Sequence, residues 1–195
     1  MTYDQLDALG IDHKWLGPLE EVFAKYDIST PIRQAAFIGQ CAHESANFKI
    51  LEENLNYKPE ALMKVWPSRF PDLQIAMKYA HNQEAIANKV YGGRMGNTQE
   101  NDGFNFRGRG LVQITGREAY EHCGEAIGVD LIGQPGLLAQ PNYAALSAGW
   151  FWNKKGLNAL ADSGDYETMT KRINGGLIGL DDRKAKIAKA LQVLG

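Results

Sequence analysis

Apolar residues recur along this chain at helical spacing, and almost nowhere do they alternate. Ile32, Ala35, Ala36, Ile38, Cys41, Ala42 and Ala46 form one broad stripe beginning after Pro31, with Thr30 placed to cap the first turn. Further helical windows run roughly over residues 14–26, 59–66, 71–90 in two pieces, 116–127, 142–154, 165–174 and 180–194. Pro71 and Pro141 open two of them, where a missing amide is tolerated. No alternating run demands a large sheet. Only short extended pieces are expected, near Leu111-Val112-Gln113-Ile114-Thr115. The pattern predicts a mainly α fold without internal repeats.

With 195 residues the chain is long enough for one well-buried core, divided at most into two lobes. A hydrophobic share of 44% and a charged share of 23% exclude disorder. The net charge of -2 gives no electrostatic reason to bind nucleic acid or an anionic membrane. Arg183-Lys184-Ala185-Lys186 reads as a solvated helix face. No apolar run reaches membrane-spanning length, and Met1-Thr2-Tyr3-Asp4-Gln5-Leu6 lacks the basic and apolar regions of a signal peptide, so none is expected. Of the two cysteines, Cys41 falls on an apolar helix face and reads as a free buried thiol, which suits a reducing cytoplasm.

Residues 91–110 stand apart, with six glycines in twenty positions. Such a segment turns tightly or lies close to something else, and loops of this length inside a compact domain are usually functional. Gly108-Arg109-Gly110 matches neither a Walker loop nor a dinucleotide fingerprint, so phosphate binding is disfavoured.

Two acidic sites carry candidate chemistry. Glu44 ends the long apolar pattern within Ala42-His43-Glu44-Ser45, and Glu53 follows nine positions later in Glu52-Glu53-Asn54-Leu55-Asn56-Tyr57. A carboxyl desolvated against an apolar face suits a general acid, and one in a wetter loop suits a base, the division that hydrolysis of a sugar–sugar bond requires. The competing reading makes Glu44 a helix-end carboxylate paired with an arginine such as Arg107 or Arg109. For one of Glu52 and Glu53 the competing reading is a solvated charge. His43-Glu44 also begins the zinc-peptidase pattern H-E-x-x-H, but Asn47 occupies the second ligand position and His13, His81 and His122 are scattered, so no metal is expected. No Gly-x-Ser-x-Gly elbow supports a serine hydrolase. Trp150-Phe151-Trp152 reads as core more than sugar platform.

His43-Glu44-Ser45, Glu52 to Tyr57, residues 106–117 (Phe106-Arg107-Gly108-Arg109-Gly110-Leu111-Val112-Gln113-Ile114-Thr115-Gly116-Arg117) and Ile173-Asn174-Gly175-Gly176 together resemble the motifs of family 19 glycoside hydrolases. The resemblance runs from about Ile32 to the end and is closest to the bacteriophage and prophage endolysin branch. It implies a mainly α, lysozyme-like two-lobed fold with a substrate cleft between lobes. The larger lobe would hold about 1–54 and 106–195 and the smaller about 55–105, in one catalytic domain without a separate wall-binding module. It also implies an inverting hydrolysis of peptidoglycan, with Glu44 as acid, Glu53 as base and Thr115 holding the water. Gln113, Asn174, Tyr57 and Arg109 are implied in binding sugar, with Arg109 and Arg183 as electrostatic partners. Where many relatives have Asn-Tyr, this chain has Ala119-Tyr120, which puts one sugar contact in doubt. The implied enzyme needs no cofactor, acts as a monomer on glycan strands, inserts in no membrane, and waits in the host cytoplasm until released to the wall. A chitinase, or a non-catalytic wall binder on the same fold, is the alternative.

Overall fold

The computed structural model describes residues 1–195, and it is mainly helical. In order the helices are α1 (Tyr3–Leu9), α2 (Leu16–Lys25), α3 (Pro31–Glu44), α4 (Pro59–Val65), α5 (Leu73–Tyr79), α6 (Gln83–Tyr91) and α7 (Asp102–Asn105). They continue as α8 (Arg117–Ile127), α9 (Pro141–Lys154), α10 (Leu157–Ser163), α11 (Tyr166–Asn174) and α12 (Leu180–Leu194). Strand pairing is confined to two isolated bridges, Glu52 with Arg109 and Arg109 with Ile114. The extended piece expected at 111–115 is therefore only Ile114; Gln113 turns back with φ +53°. Three helices escaped the periodicity, the shortest being the single turn of α7 within the glycine-rich segment. α1 is short but closed by a reciprocal Thr2–Gln5 capping box, and α10 lies between two left-handed glycine caps. No helix is long and apolar enough to cross a membrane.

The chain divides into two compact units. The first comprises Met1–Leu51, Gly110–Gln113 and Leu137–Gly195. Its centre is α3, started by Thr30, whose hydroxyl accepts the Arg33 amide at 3.3 Å, and by Pro31 in the first turn. The stripe read from sequence understates this helix: all eight residues from 35 to 42 are buried, as befits a helix covered on every side. Phe37 meets the edges of Phe23 and Trp152 at 5.8 and 5.4 Å. Trp152 is core as expected, while Trp150 and Phe151 are half-buried under Lys154 and Lys155. α12 lies close against α3 because Gly39 carries no side chain; a Cβ there would be 2.5 Å from Ile187 Cγ1 and 2.7 Å from its backbone nitrogen.

The second unit comprises Glu52–Arg109 and Ile114–Gly136. One core within it gathers Leu62, Ala76, Ile86, Ala87 and Val90 from α4, α5 and α6, with Leu55 and Phe70 from the loops before and after α4. Residues 52–54, 106–109 and 114–136 belong here, whereas the expected lobes placed them in the larger one. The reason lies in Tyr120: its ring packs on Phe106 at 5.2 Å, its hydroxyl donates to the Arg107 carbonyl at 2.6 Å, and it accepts from Arg109 Nη1 at 3.0 Å.

The glycine-rich segment is integral to this unit. A Cβ at Gly103 would lie 2.7 Å from the Ala87 carbonyl oxygen, and one at Gly96 2.9 Å from the Glu118 amide nitrogen. At Gly96 and Gly103 the close neighbour is the protein's own backbone. Cys41 and Cys123 are buried free thiols, both pushed up by burial, Cys123 to about 12.

Candidate active site

Glu44 is the last residue of α3, in the first unit. Its carboxylate accepts a hydrogen bond from Arg183 Nη2 on α12. The same guanidinium donates through Nη1 to Gln40 Oε1 at 2.5 Å, one helical turn earlier on α3, and through Nε to the Ile178 carbonyl at 3.4 Å. Arg183 is 2% exposed and the Glu44 side chain 22%. The arginine partner considered from sequence exists, but it is Arg183 and neither Arg107 nor Arg109.

The chain leaves Glu44 through an uncommon turn. Ala46, Asn47 and Phe48 are successive non-glycine residues at φ +48°, +61° and +64°. Each left-handed residue of this kind costs on the order of 1–2 kcal/mol, so the surroundings must hold it. Ser45 does so: its buried hydroxyl donates to the Cys41 carbonyl at 2.6 Å and accepts the Phe48 amide at 2.9 Å, and its carbonyl accepts from Lys49 and Ile50. Asn47 Nδ2 donates to the Gly10 carbonyl at 2.7 Å, and Phe48 packs edge-on against Trp15 at 5.1 Å. Asn47, read as a missing zinc ligand, is thus a loop tether. His43 Nδ1 meets Asp182 Oδ2 at 2.6 Å on α12, which makes it a helix-docking residue.

Glu53 belongs to the second unit. Its amide donates to the Gly108 carbonyl at 3.0 Å, and its Oε1 accepts the Gly108 amide at 2.6 Å. Its Oε2 accepts the Tyr91 hydroxyl at 2.8 Å. Glu52 points elsewhere, to Arg109 Nε at 2.7 Å and Arg107 Nη2 at 3.1 Å. Partial burial pushes the Glu52 carboxyl up, but the Arg109 hydrogen bond and both guanidinium charges outweigh it and hold the group below the ordinary glutamate range. Glu52 is therefore an ion-pair partner of two arginines, where sequence had offered one of the two glutamates to solvent. Arg109, expected to bind sugar, is 4% exposed and bound to Glu52, Tyr120 and the Asn105 carbonyl, so it braces the unit's interior.

The remaining expected residues are divided between the units. Gln113, in the first, donates from its amide to the Gly110 carbonyl at 3.0 Å. Asn174 is exposed at the end of α11, where Nδ2 donates to the Ile178 carbonyl at 2.9 Å and Oδ1 accepts the Gly176 amide at 2.8 Å. That same Ile178 carbonyl receives Arg183 Nε, so Asn174 shapes the loop behind Glu44's partner. Thr115 is half-buried in the second unit, before Gly116 at φ +92°. Tyr57, also there, stacks edge-on against Trp66 at 5.0 Å. Tyr91 was not singled out from sequence; its place beside Gly92-Gly93 was the only local signal.

Comparison with known proteins decides the family. The family 19 glycoside hydrolase model, described as chitinase class I, matches residues 66–163, half of the chain. A glycosyl hydrolase family 19 domain-containing protein of Haemophilus influenzae is 40% identical over 164 residues, 83% of this chain and 80% of that one. The chain is a family 19 glycoside hydrolase. Endochitinase 2 of Gossypium hirsutum is 37% identical to the family 19 enzyme over 83 residues, 42% of this chain and 28% of the plant protein. Among solved structures, a bacterial family 19 chitinase aligns with TM-score 0.67 at 20% identity, over 100% of this chain and 94% of that one. Chitinase C from Streptomyces griseus aligns with TM-score 0.66 at 19% identity, over 100% and 76%. These share its mainly helical fold. The matched segment 66–163 contains Gln113 and Thr115 but neither Glu44 nor Glu53.

Proposed function

We propose that this family 19 enzyme is an endolysin of the phage and prophage type, hydrolysing the bond between N-acetylmuramic acid and N-acetylglucosamine in peptidoglycan. Glu44 protonates the leaving glycosidic oxygen as the bond to the anomeric carbon breaks. Glu53 takes a proton from the water that forms the new bond to that carbon, and Thr115 holds this water. The product carries inverted configuration, and the two carboxyls exchange their excess proton with solvent before the next cycle. Gln113, Asn174 and Tyr57 contact the sugars. In this reading the enzyme acts as a monomer, accumulates in the host cytoplasm, and lyses the cell once it reaches the wall.

One observation carries the assignment of roles. Both oxygens of Glu53 are held only by donors, Tyr91 and the Gly108 amide, which leaves the carboxylate as a fixed acceptor. The peptidoglycan substrate is supported by the endolysin-like motifs around Glu44, Glu53 and Thr115. The names of the plant and bacterial relatives favour a second reading, a chitinase acting on N-acetylglucosamine polymers.

Mass spectrometry of products from purified sacculi and from a chitin hexamer, run in parallel, separates the two. New reducing-end muramic acid is expected. Reducing-end glucosamine from sacculi would make the enzyme a glucosaminidase, and cleavage of the hexamer alone would make it a chitinase. Early proton NMR of the first product should show the inverted anomer; a retained one overturns the mechanism.

A further inference from the structure

We propose that Tyr91 is a positioning residue that fixes the plane of the Glu53 carboxylate, an inference that rests on Glu53 being the general base. The terminal torsion of a glutamate is broad, so a single hydrogen bond places one oxygen while the carboxylate plane still swings. The Gly108 amide supplies that first bond, on Oε1 at 2.6 Å. The Tyr91 hydroxyl supplies the second, on Oε2 at 2.8 Å, and two donors on two oxygens define the plane. The plane decides which lone pair meets the proton of the attacking water.

The phenol is itself anchored. Tyr91 ends α6, and its carbonyl accepts Asn97 Nδ2 at 3.0 Å. Asn97 is 1% exposed, and its Oδ1 accepts the Arg117 amide at 2.8 Å, two residues after Thr115. One buried carboxamide thus ties the segment that aims Glu53 to the segment that carries Thr115. Burial, then the charge and hydrogen bond of Glu53, push the Tyr91 phenol well above its ordinary value, so the hydroxyl remains a donor at any working pH.

The test uses Tyr91→Phe, Glu53→Ala and the double variant, on soluble peptidoglycan strands or a chitin hexamer, whichever the unmodified enzyme cleaves. Tyr91→Phe should lower kcat by up to about 10²-fold, the scale of a 1 Å misplacement of a catalytic group, while KM stays unchanged. In the Glu53→Ala background, residual turnover, measured with and without azide as a small replacement nucleophile, should not respond to Tyr91→Phe. Wild-type kcat in Tyr91→Phe overturns the inference and leaves Glu53 as base. An equal loss in both backgrounds also overturns it, because Tyr91 would then act elsewhere. Full hydrolysis by Glu53→Ala removes the base assignment and the inference with it.

Discussion

Glu44 on α3 and Arg183 on α12, 139 residues apart in sequence, form a hydrogen-bonded ion pair whose guanidinium is 2% exposed. Gln40 completes the grip from one turn earlier on α3. The carboxyl assigned as acid is therefore also the countercharge of a buried cation, and its two roles separate by substitution. Glu44→Gln keeps an acceptor for Arg183 but cannot donate the proton, so turnover should fall by about 10²–10⁴ with a small change in melting temperature. Glu44→Ala strands the guanidinium and should cost about 3 kcal/mol as well, the low end for breaking a buried pair because Glu44 is partly exposed. Turbidity of wall suspensions and thermal melts check both; a folded Glu44→Gln enzyme at wild-type turnover ends the acid assignment.

Glu52 should behave as a stability residue. Glu52→Ala leaves the buried Arg109 without its charged partner, at a cost of roughly 1–3 kcal/mol, tempered because the Glu52 side chain is 41% exposed. Its carboxyl titrates lower when folded, so its contribution is present above the ordinary glutamate value of about 4.3 and is lost as pH falls through the folded value. Urea midpoints of the unmodified protein and Glu52→Gln should differ at pH 7 and converge as the solution is acidified below that value. A constant difference across this window contradicts the ion-pair account.

Gly39→Ala tests the junction beneath Glu44. Its Cβ would meet Ile187 backbone, which cannot rotate away, so α3 and α12 must separate. The expected loss is about 1–3 kcal/mol, with reduced turnover because Glu44 and Arg183 are carried on these two helices. Unchanged stability in chemical denaturation would show the contact to be slack.

The left-handed turn after Glu44 makes the opposite prediction. Ala46 is exposed at φ +48°, where glycine is at ease. Ala46→Gly should stabilise by about 0.5–1 kcal/mol, the relief of αL strain less the added chain entropy, and Ala46→Val should destabilise by more. Paired denaturation curves decide; a destabilised Ala46→Gly would show that no strain is stored there.

The sequence by itself determined the helices whose apolar spacing is regular, the class of fold, and the motifs that identify the family. These are local properties, written within three or four residues of one another: Thr30 and Pro31 start α3 whatever packs on it later. Partners were not legible. Arg183 for Glu44 lies 139 residues away, Arg107 and Arg109 for Glu52 lie 55 and 57 away, and Tyr91 for Glu53 lies 38 away. Charge and motif alone offered Arg109 to the sugar and Glu52 to solvent. Only the tertiary structure, by burying Arg109 against Tyr120, made those two into a brace, because a buried guanidinium must spend its donors on the groups that packing brings to it.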